Sequence, residues 1–121
     1  MPTISRGTVP QRLAELTVDQ SVANATYSVV KATSTQVFAV SVDNTRNTHA
    51  TYLRLYNHAT PTVGTTIPAI LLKVQASSTF TMFWPVAPTL GNACTFVCVQ
   101  GPGTSGAVAP TNNVRVIVLA T

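Results

Sequence analysis

The sequence predicts an all-β fold: a single antiparallel β-sandwich, jelly-roll-like or Ig-like, with an extended N-terminal arm. Three observations lead to this prediction. Apolar residues, many of them β-branched, alternate with Thr and other polar residues in short runs. Turn-forming residues separate these runs at regular spacing, and no window has a helical apolar stripe. Short, regularly spaced strands of this kind are typical of a sandwich or a small barrel.

The length of the chain sets the number of domains. At 121 residues it can bury one hydrophobic core and is too short for two. We therefore predict one β-sandwich domain over residues 16–121. Residues 1–15 contain Pro2, Gly7 and Pro10 among isolated apolar residues, which predicts an extended arm. Such an arm either docks on a neighbouring subunit or is a terminus without fixed contacts.

Period-2 alternation predicts seven or eight strands. In the third of them, the alternation puts Phe38, Val40 and Val42 on one face and turns Val37 to the other. The Asn-rich segment that follows Asp43 reads as a turn, because Asn and Asp side chains bond to their own backbone. The expected strands are residues 16–22, 27–31, 36–43, 50–57, 67–74, 78–84, 93–100 and 113–120.

Charge is scarce in this chain. Charged residues make up 8 % of it, about a third of the usual fraction, and Thr replaces most of them. Because charge keeps free proteins apart, a surface so poor in charge indicates that protein partners cover much of it. The net charge is +4, but the seven Lys and Arg residues are scattered singly. We therefore expect no direct contact with nucleic acid.

The sequence also bears on membranes and on the redox compartment. It has no apolar window long enough to cross a bilayer, and its start lacks the apolar core of a secretory signal, so we expect no membrane association and no Sec export. Cys94 and Cys98 lie in an extended run, which would separate their Cα atoms by roughly 13 Å and prevent a disulfide. We expect two small core residues and folding in a reducing cytoplasm.

The side chains that catalysis or metal binding would need are few. His49 and His58 flank one predicted strand and would lie roughly 25 to 30 Å apart, so they cannot share a metal. The three acids, Glu15, Asp19 and Asp43, occur in no nucleophile motif and suggest no two-carboxylate cleft. We predict no catalytic residue, no metal site, no cofactor and no enzymatic activity. A site assembled between subunits is the one enzymatic alternative.

Aromatic residues suggest a possible sugar platform. Tyr52 and Tyr56 share a face of one predicted strand, about 13 Å apart, with Arg54 between them. Together with Trp84 they could stack on sugar rings, as in a carbohydrate-binding module. A partly covered face or a subunit interface rich in Tyr, Trp and Arg explains the same pattern.

Four segments carry a resemblance to a known group of proteins. They are FAVSVDNTRN at residues 38–47, ATYLRLYN at 50–57, PTVGTTIPAIL at 61–71 and APTNNV at 109–114. Over roughly residues 36–120 the chain resembles small β-sandwich proteins encoded among the structural genes of tailed double-stranded DNA bacteriophages. The Asn-Thr-x-Asn turn and the Tyr-Leu-x-Leu-Tyr strand are its strongest parts.

The resemblance implies a virion structural protein that folds in the host cytoplasm. Some proteins of this group are capsid decoration, or cement, proteins, which favours a place on the capsid surface. In that role the chain would bind and stabilise the shell of the major capsid protein as a homo-oligomer, with a homotrimer favoured at threefold positions. A tail or fibre component and a host-glycan-binding β-sandwich module are the alternatives.

For an assembly protein the residues of interest are interface residues. Extended apolar and basic segments such as the arm bind by lying along a neighbour. The loops around Arg46 and Thr62, and the exposed-looking aromatic and basic residues, form a second group. The candidate interface residues are Ile4, Arg6, Val9, Arg12, Arg46, Tyr52, Arg54, Tyr56, Thr62 and Trp84.

Overall fold

The structure, a computed structural model, describes residues 16–102 and 104–121, except for the side chains of residues 16, 17 and 19. All regular elements in this part of the chain are β-strands, which confirms the predicted all-β fold. The predicted arm, residues 1–15, lies outside the described residues. The strands are β1 Leu16–Val22, β2 Ser28–Lys31, β3 Thr35–Asp43, β4 Thr51–Tyr56, β5 Ile70–Val74, β6 Thr79–Phe83, β7 Thr89–Leu90, β8 Cys94–Val99 and β9 Val114–Ala120.

The strands form two antiparallel sheets. The five-stranded sheet has the order β1-β9-β3-β6, and the two-residue strand β7 also pairs with β3. The four-stranded sheet has the order β2-β8-β4-β5. The strands' apolar side chains from both sheets form one core between them, so the predicted single β-sandwich is confirmed.

The pairing distinguishes between the two topologies that the sequence left open. Strands β1, β2, β3 and β4 pair with β9, β8, β6 and β5 respectively, as in one long hairpin whose tip lies between β4 and β5. Rolling this hairpin brings β9 beside β3 and β8 beside β4. This is the jelly-roll arrangement of eight strands. An Ig-like sandwich would instead place β1 and β2 side by side in one sheet.

The core consists mainly of β-branched and other apolar side chains from the inner faces of both sheets. Leu53, Leu55 and Phe96 of the four-stranded sheet pack against Val116 and Val118 of the five-stranded sheet, in one fully buried cluster. Alternation along each strand produces this cluster, because every second side chain of a strand points to the same face. Burying one such side chain stabilises the fold by about 1.5–3 kcal/mol.

A β-bulge in β3 corrects one detail of the predicted pattern. Val37 pairs with Ala120 and Ala39 with Leu119, so β3 has one residue more than β9 at this point. The extra residue changes which side chains point inward. Val37 is therefore fully buried in the core, and Phe38, which was expected there, is only half-buried.

Candidate functional site

The first group of candidate interface residues belongs to the predicted arm. Ile4, Arg6, Val9 and Arg12 belong to the arm and lie outside the described residues. The first described residue, Leu16, is in the edge strand β1. The expected docking of the arm on a neighbour remains a prediction.

The outer face of the four-stranded sheet is covered by the chain's own loops. Tyr56 packs there with Val97 and Val99 in a second buried cluster, against which Tyr52 and Val63 also pack. Val63 belongs to the loop between β4 and β5, so this loop lies over the sheet. The second cluster explains why all six residues of β8 are buried, because both faces of this strand are covered.

A second loop, residues 100–110, closes over the same face through Arg54. The side chain of Arg54 is 0 % exposed. Its Nη1 donates hydrogen bonds to the carbonyl oxygens of Gly106, at 2.6 Å, and Thr104, at 3.2 Å, and its Nη2 donates to Gly101 O at 3.1 Å. Three backbone carbonyls thus hold the buried guanidinium, and Arg54 fixes the loop to the sheet.

This cover changes the role of two candidate interface residues. Arg54 and Tyr56 are both fully buried inside the chain, so neither presents a side chain to a partner. Their Nε and Oη atoms have no hydrogen-bond partner among the described residues. Of the two explanations that the pattern left open, a covered face fits and a subunit interface at these two side chains does not.

The aromatic residues do not form one platform. Trp84 is half-buried against the main core, and its backbone N–H donates to Phe38 O at 2.9 Å. Tyr52 and Tyr56 belong to the second cluster, on the outer face of the opposite sheet. A sugar ring could not stack on all three, so the geometry gives no support to a glycan site built from these residues.

Thr62 and Arg46 lie on the surface, as expected. Thr62 is exposed in the β4–β5 loop, where its backbone N–H donates to Thr66 Oγ1 at 2.9 Å. Arg46 is exposed in the β3–β4 loop. It borders a shallow depression of about 230 Å³ at the end of the five-stranded sheet. The residues that line this depression are Ser21, Asp43, Arg46, Asn113 and Arg115.

Electrostatics at the depression favour the ionised form of Asp43. Hydrogen bonds to its carboxylate from the side chain and the backbone N–H of Thr45, at 2.6 and 3.0 Å, hold its pKa below the usual value. The nearby charges of Arg46 and Arg115 lower this pKa further. The depression thus combines two cationic side chains with one stable carboxylate.

A buried polar network beside the depression was not predicted. Asn47 is 1 % exposed and joins two loops: its Nδ2 donates to Asn112 O at 3.1 Å, and its Oδ1 accepts from Asn112 N at 2.7 Å. Its Nδ2 also donates to Asn44 Oδ1, which accepts from Thr51 Oγ1 as well. The density of Asn in residues 44–47 was the available signal in the sequence. It predicted a turn but not a buried hydrogen-bond network.

The residues considered for chemistry are dispersed. His49 bonds to Ala50 O and to Thr111 before β4, whereas His58 accepts from the backbone N–H of Thr60 after β4. Among the described residues, no group of three or more His, Cys, Asp or Glu could hold a metal ion. Cys94 and Cys98 are free and buried, as predicted, and burial raises the pKa of each thiol to about 12.

Comparison with known proteins gives no further assignment. No protein-family model, no curated protein and no solved structure matches the chain. Within residues 16–102 and 104–121, no helix is long and apolar enough to cross a membrane.

Proposed function

We propose that the chain is a structural protein of a tailed bacteriophage virion, a capsid decoration protein that binds and stabilises the shell of the major capsid protein. The observation that carries the proposal is the jelly-roll pairing of the strands. This fold recurs in viral capsid proteins, although it also occurs in lectins and cupins, so fold alone does not decide the role.

The surface chemistry supports an assembly role. Ten of the 121 residues carry a formal charge, seven Lys or Arg and three Asp or Glu. A charge-poor, Thr-rich surface can meet other protein without burying unpaired charges, which is the main penalty in forming a contact. The net charge of +4 would steer the chain towards an acidic capsid surface.

A decoration protein stabilises a shell because it adds buried area across subunits that internal pressure separates. Repeated copies on a shell associate with closed symmetry, and threefold positions favour a homotrimer. Each copy would contact the major capsid protein, with the arm residues Ile4, Arg6, Val9 and Arg12 as proposed anchors.

Capsids that lack the protein provide the test. Addition of the purified chain should raise the melting temperature of such capsids, and cryo-electron microscopy should show density at fixed surface positions. A chain without residues 2–13 should keep its own melting temperature, because the deletion removes none of the nine described strands, but should bind capsids more weakly.

Two results would contradict the proposal. Capsids that neither bind the chain nor gain thermal stability would exclude a decoration role. Density at the tail or fibres instead of the head would identify another virion component.

A further inference from the structure

The outer face of the five-stranded sheet is asymmetric across its two central strands. Over residues 39–43 of β3 and residues 115–119 of β9, this face has large side chains on β9 and small or acidic ones on β3, in exact cross-strand register. We call the first set the β9 ridge and the second the β3 trough. The β9 ridge is Arg115, Ile117 and Leu119. The β3 trough is Ala39, Ser41 and Asp43.

The β3 trough is a real depression in the surface. A hollow of about 110 Å³ lies over its apolar half, between the β9 ridge and the edge strand β6. Ile117 and Leu119 bound the hollow on one side and Thr81 on the other. Beyond Thr81, Phe83 is 69 % exposed on the same strand, opposite Ala39 in the register. The hollow is large enough for a branched aliphatic side chain.

The ridge and the trough also carry opposite charges. Arg115 of the β9 ridge and Asp43 of the β3 trough are register partners at one end of the face, and the apolar residues lie at the other end. The ridge is therefore complementary to the trough in both size and charge. A surface with this property can bind a copy of itself.

We propose that a second copy of this chain docks on this face, about a twofold axis that runs parallel to the strands between β9 and β3. Rotation about this axis places β9 of one copy over β3 of the other and does not change the position of any residue along the axis. The β9 ridge of each copy therefore enters the β3 trough of the other. The facing pairs are Arg115 with Asp43, Ile117 with Ser41, and Leu119 with Ala39, each formed twice.

The same rotation covers the exposed Phe83. It places β6 of one copy opposite β1 of the second copy. Within one chain, cross-strand pairing connects Phe83 through Ala39 and Leu119 to a residue of β1, so Phe83 of one copy lies opposite that part of β1 in the other. Sheets that pack face to face lie about 10 Å apart, so the side chains of the β9 ridge can reach the β3 trough of the other copy.

The size of the face predicts a weak contact. Four strands about 4.8 Å apart and six residues long give an area of about 400 Å² per copy. This is about half the area that a partner contributes to a standard stable interface. The dimer would form reversibly in solution and would gain strength where copies are concentrated on one surface.

This inference does not depend on the proposed virion role. A twofold contact differs from the threefold association expected of a trimer, and it could join copies of neighbouring trimers or form alone. Failure of capsid binding would leave the twofold contact intact, and loss of the twofold contact would leave capsid binding to be judged on its own.

Sedimentation analysis of the full chain over a wide concentration range tests the contact. We expect a monomer–dimer equilibrium. Ile117→Thr keeps β-branching but shortens the ridge, and should weaken dimerisation by about tenfold for each of the two Ile117 side chains in a dimer. Ile67→Thr is the matched control, since Ile67 is 79 % exposed in a loop away from this face, and it should leave the equilibrium unchanged.

A second variant keeps the test valid if Ile117→Thr impairs folding. Ser41→Trp fills the trough with a residue that strands tolerate, and should give a monomer with an unchanged melting temperature.

Crosslinking tests the facing pairs directly. A short thiol crosslinker should join a Ser41→Cys chain to an Ile117→Cys chain. Crosslinking should be lost when either of these chains is replaced by a Val29→Cys chain, whose cysteine lies on the other sheet. A wild-type monomer at every concentration, or an oligomer that these variants leave intact, would overturn the inference.

Discussion

Arg54 donates a hydrogen bond of 2.6 Å from Nη1 to the carbonyl oxygen of Gly106, 52 residues further along the chain. This bond joins the centre of the four-stranded sheet to the loop between β8 and β9. Since the guanidinium is fully buried and its hydrogen bonds go to carbonyl oxygens, the loop backbone supplies the polar surroundings that a buried cation requires. Sheet and loop therefore stabilise each other.

Replacement of Arg54 by Met should test this mutual dependence. Met is similar in length but cannot donate, so the carbonyls of Gly101, Thr104 and Gly106 would lose their partners. We expect the free energy of unfolding to fall by about 2–4 kcal/mol in urea titrations. Lys73→Met, at an exposed position on β5, is the control and should change it by less than about 0.5 kcal/mol. Equal effects of the two substitutions would contradict the role assigned to Arg54.

Gly106 itself should be intolerant of a side chain. A Cβ at this position would lie 3.2 Å from Arg54 Nη2 and 3.3 Å from Gly101 Cα, tighter than ordinary van der Waals contact. Gly106→Ala should therefore displace the loop and lower the free energy of unfolding by about 1–3 kcal/mol. Gly91→Ala is a matched control, because its Cβ would have nothing within 4 Å. It should be neutral or slightly stabilising in the same thermal or urea titration, and a neutral Gly106→Ala would show that the loop is not closely packed.

The fold class could be predicted from the sequence because alternation is a local property. Each strand shows its own pattern of inward and outward residues, and Gly, Pro and Asn separate the strands. The choice of a jelly roll over an Ig-like sandwich was not available, because it depends on which strands pair. In the pairing of β1 with β9, for example, Val18 is the partner of Val118. No local feature of the sequence indicates that two residues so far apart in the chain are neighbours.

At the candidate site, too, features local to one strand could be predicted from the sequence, and contacts between distant segments could not. Alternation correctly put Tyr52, Arg54 and Tyr56 on one face of β4, opposite Leu53 and Leu55. It could not show that two loops of the same chain cover this face. Gly101 and Gly106 allow the loop backbone to approach the guanidinium closely, but nothing in the sequence connects them with Arg54.

Asn47 should contribute to stability far more than a turn residue normally does. Asn47→Ala would leave the N–H and the carbonyl of Asn112 without the partners they have at 2.7 and 3.1 Å. Because Asn47 is buried, we expect a loss of about 2–3 kcal/mol in the free energy of unfolding. Asn24→Ala removes one exposed hydrogen bond to Thr26 N and should cost less than about 1 kcal/mol. A similar small cost at both positions would contradict a linking role for Asn47.

Asp43 should make stability depend on acidic pH. Its folded pKa lies below the ordinary value of 3.8, mainly because the Thr45 side chain and N–H donate to the carboxylate. Its contribution is therefore present above this value and is lost as the pH falls through the folded pKa. Asp43→Asn should be less stable than wild type at neutral pH, and the difference should shrink below about pH 4 in urea titrations at low protein concentration. A difference that stays constant from neutral to acidic pH would show that the carboxylate charge does not contribute.

Cys94 and Cys98 should be unreactive until the sandwich opens. Burial raises the pKa of both thiols to about 12, whereas in the unfolded chain they ionise near their ordinary value of 9.0. Since the thiolate is the reactive form, a chromogenic disulfide reagent at mildly alkaline pH should label neither residue quickly in the native protein and both in urea. Above the unfolded value the unfolded chain binds fewer protons than the native one, so the free energy of unfolding should fall as the pH rises from 9.0 towards 12. Cys94→Ala/Cys98→Ala should flatten this decline, because Ala cannot ionise. Rapid labelling of either thiol in the native state would mean that the core between the two sheets is accessible to solvent.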